Sequence, residues 1–596
     1  MAHIDKIKGS WSPEGVEILV QIGAPGLRVG LTAEKPLRYG PSFYLFTSQE
    51  DTQKPHSIPV SRIISGNTGS DMSFERAIEW LKICCNNHGS LCGGLKNDRQ
   101  LPNRVLDLGL PGRSSDVFVY ETSNEIGCYA CLSHCWGKSR PLKTTSETLV
   151  QHKQGILWDI IPKTFQDAIT FSRRMGIRYL WIDCLCIIQD DEEDWRKESA
   201  LMADIYQNAV VTIAASAAAG SSDGLFRQTD KEYLPRKLVC LRDRADHEGI
   251  YVRTPLQQRK SDLPLLLRGW VFQERLLSTR VLHFTQSELM WECMENTTCE
   301  CTGGTDSDWF RSIKFHMYHR ALLENLPSRH IANIWREIVQ DYTQMNLTYE
   351  RDIYPAISGV AKIMSSIVKS RYIAGLWQSN LIEDLLWSTS RPERVHRPDT
   401  WRAPTFSWAS VTSSGRGIQY RLMGPMTKML GLVSELENLN KERVYAKFIR
   451  GDCTLVGHDH TGELLAGYIV LEGPLIRGVV KETRDLYDPY DIYVPGQSKL
   501  YYWDPCNCVF PDYNWSTEGD SQVKPGSTVY CLKLLSIKAH SWQRQYLMCL
   551  ILRRVNDVDK SYERIGLLQY REGLEPDIET WFETADVEDN AVVKII

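Results

Sequence analysis

The chain has 596 residues, of which 42% are hydrophobic and 24% charged, and it contains 18 Trp and 26 Tyr. This length and composition are typical of a folded protein of three or four domains and exclude a disordered chain. The formal net charge is −5 and no long run of Lys or Arg occurs, so we do not expect a nucleic-acid-binding protein.

The compartment is predicted from the N-terminus, the apolar runs and the cysteines. MAHIDKIKGSW lacks the apolar core of a signal peptide, and the apolar runs are interrupted before they reach about 18 residues. The 17 Cys are an odd number, and many lie inside apolar runs such as CLCII. Reduced, buried thiols fit this pattern better than a disulfide framework. We therefore expect a soluble, cytoplasmic protein with no membrane span.

Residues 1–126 are predicted to form a mixed N-terminal region with short strands and a helix in FERAIEWLKICCNNH. Here Cys84, His88 and Cys92 recur every four residues and would share one face of a helix. Three candidate ligands without a C-x-x-C pair are weak evidence for zinc. The later Cys293, Cys299 and Cys301 are equally inconclusive, so no metal ligand and no cofactor is assigned.

Residues 127–285 alternate between strand and helix patterns. YACLSHCWG reads as a short strand that ends at a Gly, and Pro162 and Gly176 mark the two ends of a helix. The apolar run IRYLWIDCLCII suits a strand that is buried on both faces. A helix over residues 192–208 and a strand in AVVTIAAS follow. This order predicts an α/β layer with a parallel sheet.

The remaining chain is predicted to form two further regions. Residues 286–400 contain amphipathic helical patterns such as HIANIWREIVQDY and IYPAISGVAKIMSSIV. Residues 401–596 contain apolar runs separated by Gly, Pro and Asp, which predict a β-rich C-terminal domain. These runs are LAGYIVLEG, LIRGVV, KLYYW, VYCLKLLSI and QYLMCLILRRV.

Glu198 lies in the middle of an apolar helical stripe made of Trp195, Met202, Ile205, Tyr206 and Ala209. Its carboxylate should therefore face the sheet. A buried Glu needs a partner, and desolvation raises its pKa. Glu198 is then either part of a functional site or a structural group. In the second case it forms an ion pair, for instance with Arg178 or Arg268, or lies at a site that is partly open at the domain edge.

Asp183 interrupts the apolar run where a strand that starts at Arg178 should end. Ligands of open α/β sheets bind beyond the carboxyl ends of strands, so Asp183 is a candidate ligand-binding residue. The alternative is that it caps a backbone turn. The acid run from Asp190 to Asp194 predicts a solvated helix N-terminus rather than a metal site.

Common catalytic signatures do not account for this chain. The P-loop, H-E-x-x-H, G-x-S-x-G and G-x-G-x-x-G motifs do not occur. His134 and Cys135 are adjacent on a predicted strand, so their side chains point to opposite faces and cannot form a nucleophilic dyad with each other.

Three segments carry a family resemblance: YACLSHCWG, the long block from IPKTFQDAITF to AVVTIAAS, and RGWVFQERLLSTRVLHF. In order and spacing they resemble the motif blocks of the HET (heterokaryon incompatibility) domain of filamentous fungi, over about residues 127–285. The resemblance implies a cytosolic effector of nonself recognition that triggers programmed cell death. It also implies a fold similar to TIR domains, which are flavodoxin-like.

The resemblance to TIR domains implies a chemistry, because several TIR domains cleave NAD+ with a Glu that follows a Trp on a helix. In this chain Glu198 follows Trp195 by three residues, so the resemblance makes Glu198 the candidate catalytic carboxylate and NAD+ the candidate substrate. Trp136, Asp183, Trp195 and Arg268 are the candidate substrate-binding residues.

Two interpretations remain open. In the first, the chain is a HET effector that hydrolyses NAD+ or a related nucleotide when it assembles with itself or with a partner. In the second, it is a non-enzymatic TIR-like interaction module in cell-death signalling, with Glu198 in a structural ion pair. Both imply a protein partner in nonself recognition or signalling.

Overall fold

The computed structural model describes residues 17–23, 26–32, 43–49, 60–89, 91–93, 99–109, 117–137, 142–237, 249–256, 260–301, 326–413, 415, 417–420, 439–483, 489–494, 508–539, 544–556, 558–571 and 587–596. The chain divides into two compact units, Met1–His319 and Arg320–Ile596. Within the described ranges, every helix is too short or too polar to cross a membrane.

The first unit contains strands and helices in alternation. Its strands are β1 (Glu17–Gly23), β2 (Gly26–Thr32), β3 (Phe43–Ser48), β4 (Val60–Ser61), β5 (Arg104–Asp107), β6 (Phe118–Glu121), β7 (Tyr129–Ser133), β8 (Tyr179–Ile182), β9 (Thr212–Ala214), β10 (Arg236–Lys237), β11 (Ile250–Arg253), β12 (Arg280–Phe284), β13 (Leu289–Cys293) and β14 (Thr297–Cys299). Its helices are α1 (Asp71–Asn87), α2 (Leu149–Gln154), α3 (Lys163–Arg174), α4 (Asp183–Cys186), α5 (Glu192–Asn208) and α6 (Gly269–Leu277).

The larger sheet of this unit has, among the described residues, eight strands in the order β14-β13-β12-β9-β7-β8-β5-β6. Its central strands β12, β9, β7 and β8 are parallel, and the outer strands join them antiparallel. The residues of β7 and β9 are all buried, as expected for strands that are covered on both faces. The predicted mixed α/β architecture with parallel strands is confirmed. The outer strands on both sides pair antiparallel with their neighbours. On one side this follows because β12 and β13 are joined by a tight turn.

The helix predictions in this region agree with the structure. Helix α3 follows Pro162, and Gly176 adopts φ +73° just after it. The Asp191 carboxylate caps α5 by accepting bonds from the backbone amides of Glu193 and Asp194 at 3.0 and 3.1 Å. The acid run therefore marks a helix N-terminus, as predicted. On α5, Glu198, Met202, Ile205 and Tyr206 are the buried residues.

The strand that was predicted to start near Arg178 ends before Asp183, as expected, and a short helix follows it. The run IRYLWIDCLCII is a strand only over Tyr179–Ile182, and Asp183–Cys186 form the short helix α4. The Asp183 Oδ1 atom accepts a hydrogen bond from the Cys184 amide at 2.7 Å. This local bond offers the backbone an alternative to the sheet ladder, and it ends the strand.

The second unit combines helices with a large sheet that is antiparallel except for the pairing of its last two strands. Its helices are α7 (Ser328–Tyr342), α8 (Pro355–Val368) and α9 (Leu381–Asp384). Its strands are β15 (Tyr372–Ile373), β16 (Leu376–Trp377), β17 (Trp387–Thr389), β18 (Val395–His396), β19 (Thr412–Ser413), β20 (Ile418–Tyr420), β21 (Leu439–Val444), β22 (Lys447–Leu455), β23 (Leu464–Glu482), β24 (Tyr490–Tyr493), β25 (Cys508–Pro511), β26 (Thr528–Ala539), β27 (Arg544–Asn556), β28 (Ser561–Arg571) and β29 (Val587–Ile595).

The β-rich C-terminal region is confirmed, with one difference in its strands. LAGYIVLEG and LIRGVV form one strand, β23, rather than two. The register shifts between Gly473 and Leu475, so Pro474 lies at a bulge, where its missing amide costs no ladder hydrogen bond. VYCLKLLSI and QYLMCLILRRV lie in β26 and β27. KLYYW lies outside the described residues.

Candidate functional site

A polar cluster lies at the carboxyl ends of the parallel strands β7 and β8. Asp183 follows β8, and its Oδ2 accepts a hydrogen bond from the Trp136 indole Nε1 at 2.9 Å. His134 follows β7, and its Nδ1 lies 3.6 Å from Asp183 Oδ1. The Asp183 side chain is 24% exposed. A carboxylate at this edge of the sheet can therefore reach a ligand.

His134 is held from several sides. Its imidazole lies edge-on to the Phe165 ring of α3, with 4.8 Å between the ring centroids. Its carbonyl accepts a bond from Arg268 Nη1 at 2.6 Å. Burial lowers the pKa of His134, and the Arg268 charge lowers it further while Asp183 raises it. The imidazole is therefore neutral at pH 7 and acts as a hydrogen-bonding group rather than as a cation.

The loops after β7 and β9 approach each other closely at Gly137 and Gly220. Gly137 adopts φ +79°, and a Cβ on it would lie 2.9 Å from the Gly220 Cα. Only glycine fits both the backbone angle and this contact. The loop that carries Trp136 is therefore fixed against the loop of the neighbouring strand.

Glu274, on α6, is a buried carboxyl group behind the cluster. It accepts a hydrogen bond from Ser133 Oγ at 2.6 Å and another from the side chain of Tyr206. Burial raises the pKa of Glu274 to about 7, opposed by the bond from Ser133. A group that titrates near neutral pH suits proton transfer. The sequence analysis missed Glu274, although an acid inside the apolar stretch WVFQERLL was the available signal.

Glu198 is held by residues that the sequence analysis did not select. It is 1% exposed, and its Oε1 accepts a hydrogen bond from Asn103 Nδ2 at 2.7 Å and lies 3.8 Å from Arg104 Nη2. Arg104 also binds Asp194 at 2.6 Å. The expected partners Arg178 and Arg268 are bound elsewhere, Arg178 to Asp107. The pairing with Arg104 arises because β5 lies beside β8, which no sequence pattern predicted.

Desolvation raises the pKa of Glu198, and the Asn103 hydrogen bond and the Arg104 charge lower it. Its Oε2 is buried and has no hydrogen-bond partner among the described residues. Asn103, Arg104 and Lys197 also line a surface groove of about 590 Å³ together with strand β6. The groove therefore lies beside the partners of Glu198, while Glu198 itself and Arg104 are buried.

Arg104 links Glu198 to the turn that carries Asp183, because its Nε donates to the Cys186 carbonyl at the end of α4 at 2.7 Å. The structure therefore brings Trp136, Asp183 and Arg268 to one edge of the sheet and connects Glu198 to that edge through Arg104. Trp195 lies edge-on to Trp270, with 6.1 Å between their ring centroids.

Residues 129–274 match the sequence model of the family described as Heterokaryon incompatibility protein (HET). The chain carries a HET domain. Searches among curated proteins and among solved structures find no match.

The HET domain contains all five residues that the sequence analysis selected, and Glu274 lies at its last position. Asn103 and Arg104 precede the domain, on the antiparallel strand region that extends its sheet. The surroundings of Glu198 are therefore completed by residues outside the matched segment.

Proposed function

We propose that this chain is a HET-type cytoplasmic effector of nonself recognition whose sheet edge binds and cleaves NAD+ or a related nucleotide, and thereby triggers cell death. The observation that supports it is the cluster of Trp136, His134 and Asp183 at the carboxyl ends of β7 and β8. Trp136 offers a ring for stacking and Asp183 offers a carboxylate beside it. An aromatic ring can stack on nicotinamide, and a carboxylate can stabilise positive charge on the ribose.

The order of the parallel strands supports the flavodoxin-like fold that the TIR resemblance implies. Numbered along the chain, β7, β8, β9 and β12 lie in the order 2-1-3-4, which agrees with the flavodoxin-like order 2-1-3-4-5. Ligands of such folds bind where the order reverses, which here is between β7 and β9. Trp136 lies on the loop that follows β7.

The reaction breaks the bond between nicotinamide nitrogen and ribose C1′, and the electron pair leaves with nicotinamide. Positive charge develops on the ribose, where the Asp183 carboxylate can stabilise it and accept bonds from the ribose hydroxyls. Water then bonds to C1′ and releases one proton, which passes to solvent. The products are nicotinamide, ADP-ribose and a proton.

In this proposal Glu198 is a positioning residue, because its carboxylate is covered and reaches α4 through Arg104. Arg268 orients the loop after β7 through the His134 carbonyl. The alternative assignment, in which Glu198 itself stabilises the ribosyl cation, needs substrate to enter between Asn103 and Arg104. The two assignments differ in which variant, Asp183→Asn or Glu198→Gln, should lose more NAD+ turnover.

The test is NAD+ turnover by the purified full-length chain over a wide range of protein concentration, with nicotinamide and ADP-ribose measured by chromatography. We expect Asp183→Asn to abolish turnover and Glu198→Gln to lower it partially. Asp190→Asn is the matched control, because Asp190 is an exposed acid in the segment that follows α4. It should leave turnover unchanged.

The outcomes separate a site at Asp183 from a site at Glu198, and an enzyme from a protein without NAD+ turnover. Loss of turnover in Glu198→Gln alone, with Asp183→Asn active, would move the site to Glu198. No nucleotide consumption by the wild type at any concentration, together with cell death on expression and intact cellular NAD+, would reject the enzyme.

A second candidate function is a non-enzymatic interaction module. Val150, Leu157 and Ile160 are 65%, 72% and 50% exposed within eleven residues of the HET domain, and exposed apolar side chains that lie close together mark interaction surfaces. Under this alternative, Leu157→Glu abolishes cell death while Asp183→Asn does not.

A further inference from the structure

Four potential metal ligands converge at the opposite end of the parallel strands from the polar cluster of Trp136, His134 and Asp183. The Sγ atoms of Cys84, Cys92 and Cys293 and a ring nitrogen of His88 all lie within 4.8 Å of one another. His88 Nδ1 lies 3.3 Å from Cys293 Sγ and 3.6 Å from Cys92 Sγ. In a tetrahedral zinc site with Zn–S bonds of about 2.3 Å, ligand atoms are separated by about 3.5–3.8 Å. The ligand atoms of the four side chains therefore need to move by only about 1 Å or less to reach tetrahedral separations.

Two distant chain segments form this thiol-imidazole cluster (Cys84, His88, Cys92 and Cys293). Cys84 is on the last turn of α1, which ends at Asn87, and His88 has an extended backbone that turns the chain back. Cys92 therefore reaches the cluster from a turn rather than from the helix face that the spacing predicted. Cys293 ends β13, some 200 residues later.

The two segments are also joined by backbone contacts around the cluster. The Gly89 amide donates to Glu295 Oε1 at 2.6 Å, and the Cys293 amide donates to the Asn296 carbonyl at 2.9 Å. A turn after β13 thus closes over the turn after α1. Three of the candidate ligands thus come from α1 and the chain that follows it, and the fourth comes from the end of β13.

The chemistry of the cluster favours zinc. Three thiols and one imidazole are soft or borderline ligands, which select Zn²⁺ over Mg²⁺ or Ca²⁺. Cys84, Cys92 and Cys293 are each at most 1% exposed and are free thiols. Of the groups of His, Cys, Asp and Glu that the described residues bring together, this one alone has four members. Four protein ligands leave no open position for substrate, as in structural sites.

Arg280 balances the charge that such a site would carry. Three thiolates, one neutral imidazole and Zn²⁺ have a net charge of −1. Arg280 Nε donates to Cys84 Sγ at 3.2 Å, and its Nη2 donates to the Cys92 carbonyl at 2.7 Å. A hydrogen bond to a metal-bound sulfur both orients the ligand and offsets its charge.

We propose that Cys84, His88, Cys92 and Cys293 bind one Zn²⁺ in a closed structural site that ties α1 to β13. The metal would hold α1 against β13, in the same sheet as the HET-domain strands β7, β8 and β9. The site lies at the amino end of β12, whereas Trp136, His134 and Asp183 lie at the carboxyl ends of β7 and β8. The metal therefore takes no part in the proposed nucleotide chemistry.

The test is zinc content of the purified full-length chain, measured by elemental mass spectrometry after removal of loosely bound metal. We expect one zinc per chain in the wild type and its loss in Cys84→Ser, Cys92→Ser and Cys293→Ser. The matched control is Cys85→Ser, because Cys85 is the neighbour of Cys84 on α1 and is not among the four ligands. This variant should keep the metal. His88→Cys should also keep it, because a thiolate can replace the imidazole, whereas His88→Ala should bind it more weakly.

A measurement on the wild type guards against variants that do not fold. X-ray absorption at the zinc edge should report three sulfur neighbours at about 2.3 Å and one nitrogen at about 2.0 Å. A strong chelator should lower the thermal midpoint of the wild type and have no further effect on folded Cys293→Ser. A metal-free wild type after growth and refolding in zinc, or an absorption spectrum without sulfur ligands, would overturn the proposal. Equal zinc content in the Cys85→Ser and Cys293→Ser chains would overturn it as well.

Discussion

The two ends of the parallel strands in the first unit carry different chemistry. At the carboxyl ends lie carboxyl groups: Asp183 is partly open to solvent, and Glu274 is buried beside Ser133. At the amino end of β12, Arg280 lies in register with Cys293 of β13 and contacts the thiol of Cys84. One edge of the sheet can thus receive a ligand from outside, whereas the other is closed around its own side chains.

This difference teaches that burial alone does not separate functional from structural groups. Glu198 and Cys293 are each 1% exposed, and their side chains contact neighbours within the protein, Asn103 in the case of Glu198 Oε1 and His88 in the case of Cys293 Sγ. Asp183 is more exposed and lies where parallel strands end, which is the position where ligands of open α/β sheets bind. We therefore expect the closed end, around Arg280 and Cys293, to contribute mainly to stability, and the open end, around Asp183, to contribute mainly to binding.

The largest expected effect is at the closed end. Arg280→Met removes the donor to the Cys92 and Val210 carbonyls, and each buried carbonyl left without a partner costs about 1–3 kcal/mol. We expect the free energy of unfolding of the first unit to fall by about 2–6 kcal/mol, measured by denaturant titration. Arg174→Met is the control, because Arg174 pairs with Asp71 at the surface and such pairs contribute at most about 1 kcal/mol. An equal fall in the free energy of unfolding for Arg280→Met and Arg174→Met would show that the buried Arg280 contributes no more to stability than a surface arginine.

The second prediction concerns buried carboxyl groups near the carboxyl ends. Burial raises the pKa of Glu274 and Glu300 to about 7 and of Glu288 to about 8, from 4.5 in the unfolded chain. The folded state therefore binds more protons than the unfolded state between pH 4.5 and 8, so stability falls as pH rises through this window. Each pKa unit corresponds to about 1.4 kcal/mol.

We expect the thermal midpoint to be higher at pH 5.5 than at pH 8, and Glu288→Gln to weaken this dependence. The measurement is a thermal scan at several pH values, and the relevant quantity is the difference in slope between wild type and variant. A slope that the variant does not change would show that Glu288 ionises normally in the folded protein.

A smaller effect is expected at the open end. Trp136→Phe removes the indole donor to Asp183 but keeps an aromatic ring. Because the Asp183 carboxylate can be solvated instead, the loss of stability should be about 1 kcal/mol. The proposed nucleotide binding should weaken in the same variant, seen as a rise in KM. Unchanged KM together with a large loss of stability would make Trp136 a packing residue.

The smallest effect is expected for Glu198→Gln. Desolvation already raises the pKa of Glu198, and Arg104 keeps Asp194 as its partner, so removal of one charge should change the free energy of unfolding by less than about 1 kcal/mol. Glu192→Gln on the exposed side of α5 is the control. A loss of several kcal/mol in Glu198→Gln would show that its charge is needed for the fold.

Much of the local structure could be predicted because it depends on near neighbours in the chain. Helix α5, its Asp191 cap and its buried stripe follow from side chains within a few turns. The alternation of strands and helices predicted the parallel sheet for the same reason. The end of β8 at Asp183 was predicted, but the short helix α4 that follows was not, because a run of apolar residues gives no sign of the bond that the Cys184 amide donates to the Asp183 carboxylate.

The sequence by itself determined which segments become strands and helices, and that Glu198 would be buried and Asp183 would end a strand. Only the tertiary structure decided their partners: Arg104 for Glu198, Trp136 for Asp183, and Cys293 for the Cys84, His88 and Cys92 group. The physical reason is that periodicity reports which face of an element is buried, whereas partners depend on strand order, which brings together residues separated by up to about 200 positions.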